Sequence, residues 1–153
     1  YVTIASIDIP HIVASKGVKI IADTILTECI HTRYDLIVLP GGMPGSERLR
    51  DSNELIEMLR NQKKAGRWYG AICAAPAVVL DYHGLIDGYN TACHPDFRYL
   101  IKHAVISDEV VVVDRNLITG RGAGAAVPFG LKLVELLFDS EKAHDVAKGM
   151  ALV

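Results

Sequence analysis

The chain has 153 residues, half of them apolar and 22% charged, with a formal net charge of −2. That length and balance suit one domain with a real core, and the near-neutral charge offers nothing for nucleic acid or an anionic membrane to grip. No apolar run approaches the roughly 18 residues of a membrane span, no signal peptide is recognised, and three cysteines at unrelated spacings make no disulfide framework, so a reducing, cytoplasmic compartment is expected.

In chain order, Tyr1 leads directly into a β-branched run, Val2-Thr3-Ile4-Ala5-Ser6-Ile7, which predicts a strand. An α/β domain rarely opens in mid-sheet, so a first strand and helix are expected upstream. Leu36-Ile37-Val38-Leu39 predicts a central strand buried on both faces, ending in the tight Pro40-Gly41-Gly42 loop. Asp51 reads as a helix N-cap with Glu54 three residues on; Leu55, Ile56 and Leu59 form the apolar face, and Gly66 is the stop. Lys63-Lys64, Arg48 and Arg50 read as solvated helix faces. Residues 67–72 are the next strand and 74–82 the next helix. After a loop over 84–90, Thr91-Ala92-Cys93 reads as a short strand that His94-Pro95 ends, since proline cannot donate to a ladder. Val110–Val113 and Leu117–Thr119 predict a hairpin around a three-residue loop, Asp114-Arg115-Asn116. One long helix is expected after the glycine-rich stretch 120–124, with Val127, Leu131, Val134 and Leu137 facing the core. Strands alternating with helices argue for βαβ units and a largely parallel sheet.

Cys73 stands at the junction of strand 67–72 and helix 74–82. In open α/β folds that junction is the carboxyl edge where ligands bind. Ala71 and Ala75 are small enough for a sharp strand-to-helix turn, the device that presents a nucleophile in hydrolases. The following helix turns its positive end and free N–H groups toward the thiol, which favours a thiolate. The plainer alternative is a buried apolar cysteine. His94, at the end of a neighbouring strand, is the candidate base, set against a strand-end histidine bonded to a loop carbonyl. His11, His31, His83, His103 and His144 are expected at the surface. Gly41-Gly42 follows the adjacent strand, and glycine lets backbone N–H groups approach a ligand. With the N–H of Ala74 it would form an oxyanion hole, although a simple tight turn is the commoner reason for such a pair. Gly120-Arg121-Gly122-Ala123-Gly124-Ala125 fits GxGxxA, yet no second strand ending in an acidic residue follows, so a dinucleotide is not expected. Cys93 and His94 point to opposite strand faces, so no metal is expected either.

At residues 34–42, 71–76, His94-Pro95 and Thr119-Gly120-Arg121-Gly122-Ala123-Gly124, the sequence resembles the ThiJ/PfpI superfamily, and within it the Parkinson-associated protein deglycase branch. The resemblance runs from about Val2 to the C-terminus. It implies a flavodoxin-like three-layer sandwich, a homodimer and no cofactor. It also places the reactive cysteine at Cys73, the histidine at His94, the oxyanion-binding amides at Gly42 and Ala74, and the supporting loops at Gly41 and Gly122. The implied activity is that of a glyoxalase or deglycase acting on methylglyoxal, a small reactive carbonyl, or on its adducts, with protection against oxidative stress. The alternative is a redox sensor or chaperone working through oxidation of Cys73, and a weaker one is an amidase or peptidase. Ala74 stands where the protease relatives carry histidine, and His94-Pro95-Asp96 lacks the His-x-Glu of amidotransferases. The branch's general acid/base glutamate is expected on the helix upstream of Tyr1, and a cleaved N-terminal fragment carrying it is a candidate partner.

Overall fold

The computed structural model describes residues 1–14 and 17–153. Its centre is a four-stranded sheet in the order β5-β6-β10-β9, built from β5 (Leu36–Leu39), β6 (Trp68–Ile72), β9 (Val111–Asp114) and β10 (Leu117–Gly120). β5 and β10 run parallel to β6, whereas β9 returns antiparallel to β10 as a hairpin. β1 (Ala5–Ser6) pairs parallel with β4 (Thr24–Ile25), and β2 (His11–Val13) forms a ribbon with β3 (Lys19–Ile21). β7 (Asn90–Thr91) pairs with β8 (Val105–Ile106). Among the described residues five α-helices accompany them: α1 (Leu26–Cys29), α2 (Gly45–Arg50), α3 (Asn53–Lys64), α4 (Ala126–Leu137) and α5 (Ser140–Gly149). This is the expected flavodoxin-like α/β arrangement, with a largely parallel sheet and a hairpin at its side.

The core lies between β6 and the helices that flank it. Tyr69, Ala71, Leu59, Val79, Leu80, Ile86 and Leu117 are fully buried. Tyr69 is accommodated because its hydroxyl donates to the carbonyl of Leu85 at 2.8 Å. Asp81 is buried as well, and its carboxyl oxygens accept from the N–H groups of Lys102, His103 and Ala104 at 2.8, 3.1 and 3.0 Å. One side chain thereby ties down the segment that follows the 3-10 turn Pro95–Leu100. Asp81→Ala strands three amides, and urea denaturation is expected to show a loss of about 2–3 kcal/mol.

Several sequence expectations are corrected. The helix N-cap is Ser52, whose hydroxyl accepts from Leu55 N–H at 3.4 Å; Asp51 instead closes α2. Gly66 does take the left-handed conformation after α3, at φ 68°. β5 is an edge of its sheet and only Leu39 is buried, so the interior, doubly covered strands are β6 and β10. The hairpin loop has two residues, because Asp114 pairs with Leu117 and Arg115 takes a positive φ of 54°. The long C-terminal helix is two, since Asp139 caps α5 by accepting from Lys142 N–H at 2.7 Å. The apolar stripe is not core: Val127 and Leu137 are exposed, Leu131 and Val134 half-buried, and Phe129 is the buried residue of α4. That helix packs toward the hairpin side of the sheet, against β9 and β10, so its stripe reaches beyond the sheet it covers.

Candidate active site

β6 delivers Cys73 to the carboxyl edge of the sheet, and the chain turns immediately after it. Cys73 adopts φ 68°, one of three non-glycine residues with positive φ among the described residues. A side chain there clashes with its own carbonyl and costs of order 1–2 kcal/mol. The surrounding chain holds the conformation in place. Cys73 N–H donates to the Gly120 carbonyl of β10 at 2.9 Å, and the Cys73 carbonyl accepts from His94 N–H at 2.9 Å. The helix after the turn is a wide π-helical one, Pro76–Asp81, preceded by Ala74 and Ala75, both fully buried. Cys73 itself is half-buried, while Cys29 and Cys93 are buried.

Gly41 lies directly against the thiol. A Cβ built at Gly41 would sit 2.5 Å from Cys73 Cβ, 2.7 Å from the Ile72 carbonyl oxygen and 3.2 Å from Cys73 Sγ. Only glycine fits there. Gly42 follows at φ 88° and its carbonyl accepts from Ser46 N–H at 2.9 Å. Gly42 is half-buried and Ala74 fully covered, so of the two expected oxyanion donors Gly42 is the one open to an entering molecule.

His94 precedes the 3-10 turn and shares a backbone bond with Cys73, so the expected pair is brought together through the main chain. Its Nδ1 accepts from Asp96 N–H at 3.3 Å, which in the neutral ring leaves the proton on Nε2. The partner is thus an amide of the next turn, not a loop carbonyl. Asp96 Oδ2 stands 3.8 Å from the same nitrogen, and the imidazole is 37% exposed. Gly122 abuts the other side of the ring: a Cβ there would come within 3.1 Å of His94 Cδ2. The stretch that mimicked a dinucleotide fingerprint therefore makes room for His94. Of the remaining histidines, His11, His31, His103 and His144 are exposed, and His83 is half-buried with Nε2 at 2.8 Å from the Arg50 carbonyl.

Sequence reasoning did not foresee the position of Cys93. Its thiol donates to the Cys73 carbonyl at 3.5 Å, and the residue is fully buried. Burial, the largest cause, pushes this thiol up to about 11. The folded protein thus holds that proton more tightly than the unfolded chain does. The associated stability is complete below about pH 9 and is lost as pH rises toward 11. Urea midpoints should fall across that window, and fall less in Cys93→Ala. Buried Tyr69, also pushed up by burial, adds a loss of the same sign that the variant retains.

A model of the DJ-1/PfpI family matches residues 1–136. Protein DJ-1 homolog B of Arabidopsis thaliana is 41% identical over 90% of this chain, which spans only 31% of that protein. The glutathione-independent glyoxalase DJR-1.2 of Caenorhabditis elegans is 36% identical over 90% of this chain and 74% of its own length. Among solved structures, oxidized DJ-1 of Toxoplasma gondii superposes with a TM-score of 0.92 at 37% identity, covering 97% of this chain and 82% of that one. Among the described residues, no helix is long and apolar enough to cross a membrane.

Proposed function

The chain belongs to the DJ-1/PfpI family, and on that premise we propose that it is a cofactor-independent, cytoplasmic glyoxalase acting on methylglyoxal or its adducts. The observation that carries this reading is the strained Cys73 turn closed over by Gly41, in a chain similar to a glutathione-independent glyoxalase. A nucleophile on a positive-φ turn projects beyond the sheet edge, where an incoming carbonyl meets it without backbone obstruction.

The chemistry balances with water as the only co-reactant. Cys73 sulfur attacks the aldehyde carbon, and the oxygen that becomes negative takes up a proton, giving a hemithioacetal. The carbon-bound hydrogen then leaves as a proton and returns to the neighbouring carbon through an enediol, which leaves a lactoyl thioester. Water cleaves the carbon–sulfur bond, releasing lactate and the free thiol. The amides of Gly42 and Ala74 would receive the developing oxyanion. His94 would lend and recover the proton through Nε2. On a methylglyoxal adduct the Cys73 sulfur would replace the amine or thiol on that same carbon, the C–N or C–S bond breaking and the group leaving with a proton. This gives the same hemithioacetal and amounts to deglycation, so the reading spans lyase and hydrolase outcomes. A homodimer is the assembly proposed.

The test is lactate formation from methylglyoxal by the full-length protein without glutathione. His94→Ala should slow it by ~10²–10⁴-fold, the usual worth of a positioned proton carrier. No lactate from the wild type would reject the activity. A second reading, redox sensing through Cys73, draws on the half-buried sulfur and on the oxidized Toxoplasma relative. Mild peroxide should then add oxygen at Cys73 before Cys29 changes.

A further inference from the structure

We propose that Cys93 is a resolving thiol for Cys73: after a hydroperoxide oxidises Cys73, the two sulfurs join in an intramolecular disulfide that reversibly silences the site. The inference rests on the reading that Cys73 is the reactive thiol, and adds to it a second cysteine and a route back.

Two contacts place the pair. The Cys73 carbonyl accepts both from the His94 N–H at 2.9 Å and from the Cys93 thiol at 3.5 Å. Together these two bonds hold residue 93 directly against the backbone of Cys73. A disulfide spans about 4.4–6.8 Å between Cα atoms. Cys29, on α1, neighbours Tyr34 instead. Cys93 is fully buried, so external oxidants and alkylating agents do not reach it, yet a sulfur already attached to the adjacent backbone needs no access from solvent.

In the first step the Cys73 sulfur displaces one oxygen of a hydroperoxide, giving a sulfenic acid and water, or an alcohol from an organic peroxide. In the second, Cys93 sulfur attacks the sulfenic sulfur, its proton leaves with the hydroxyl as water, and the S–S bond forms. Each sulfur ends oxidised by one electron, and the peroxide bond takes up both. The buried thiol is a sluggish nucleophile because burial keeps it protonated, but proximity offsets this, since the attack is unimolecular. Reaching Cys93 also requires Cys73 Sγ to swing away from Gly41, so the bonded state cannot attack a carbonyl at the diglycine turn. Reduction by a dithiol would restore both.

The experiment treats the full-length protein with two equivalents of hydrogen peroxide per protein, enough for sulfinic acid where no disulfide intervenes, digests it without reductant and maps the cysteines by mass spectrometry. A Cys73–Cys93 cross-linked peptide is expected, with lactate formation recovered by dithiothreitol. Cys93→Ser should instead carry sulfinic acid at Cys73 and stay inactive after dithiothreitol. Wild-type protein with sulfinic acid at Cys73 and a free Cys93 thiol would overturn the inference and leave the reactivity of Cys73 standing. Peroxide that leaves Cys73 untouched would overturn both.

Discussion

Cys73→Ala is expected to abolish lactate formation, with the rate falling by about 10⁴-fold or more, as when the nucleophile of a covalent mechanism is removed. The fold should survive, because alanine keeps the Cβ and both backbone bonds, to Gly120 and from His94. Cys73→Gly makes a sharper test of why the residue is held as it is. At φ 68° glycine pays no steric penalty, so this inactive variant should be more stable than the wild type by about 1 kcal/mol. Thermal or urea unfolding reads the difference directly. A glycine variant less stable than Cys73→Ala would show that the turn is relaxed and carries no strain.

Gly41→Ala should damage the same site from a neighbouring loop, though less severely. The added methyl would meet Cys73 Cβ at 2.5 Å and the Ile72 carbonyl oxygen at 2.7 Å, neither of which can rotate aside. Either the diglycine turn lifts off the sheet edge or the Cys73 turn is displaced, and both spoil the alignment of sulfur with the Gly42 amide. Activity should fall by about 10²-fold, the worth of an ångström of misplacement, and stability by about 1–3 kcal/mol from overpacking. Gly45→Ala is the control: nothing lies within 4 Å of its Cβ, and on α2 alanine should be neutral or slightly stabilising. Equal losses in both variants would remove any special role for Gly41.

Much of this site is legible in the sequence because local chemistry marks it. A short apolar run ending in small residues and a cysteine announces the turn, and two adjacent glycines announce a close approach. What the sequence conceals is set by long-range packing. Leu36–Leu39 looks central by composition, yet pairing leaves β5 at an edge. The stripe from Val127 to Leu137 has the right period, but periodicity does not say which helix face a sheet covers, and Phe129 takes the core position. Asp51 and Ser52 are both good caps, and only the end of α2 decides between them. Cys93 beside the Cys73 carbonyl had no sequence signal, because its partner is twenty residues away and the contact runs through the backbone.

The two backbone bonds at Cys73 also bear on how the protein acquires its chemistry. One partner, Gly120, is 47 positions downstream and the other, His94, lies beyond the helix Pro76–Asp81 and strand β7, so neither bond can form locally. Contacts this distant along the chain carry a large closure entropy and tend to form late during folding. A nascent or partly melted chain would carry its sulfur on ordinary, relaxed backbone, and the strained turn would exist only once the whole sheet is in register.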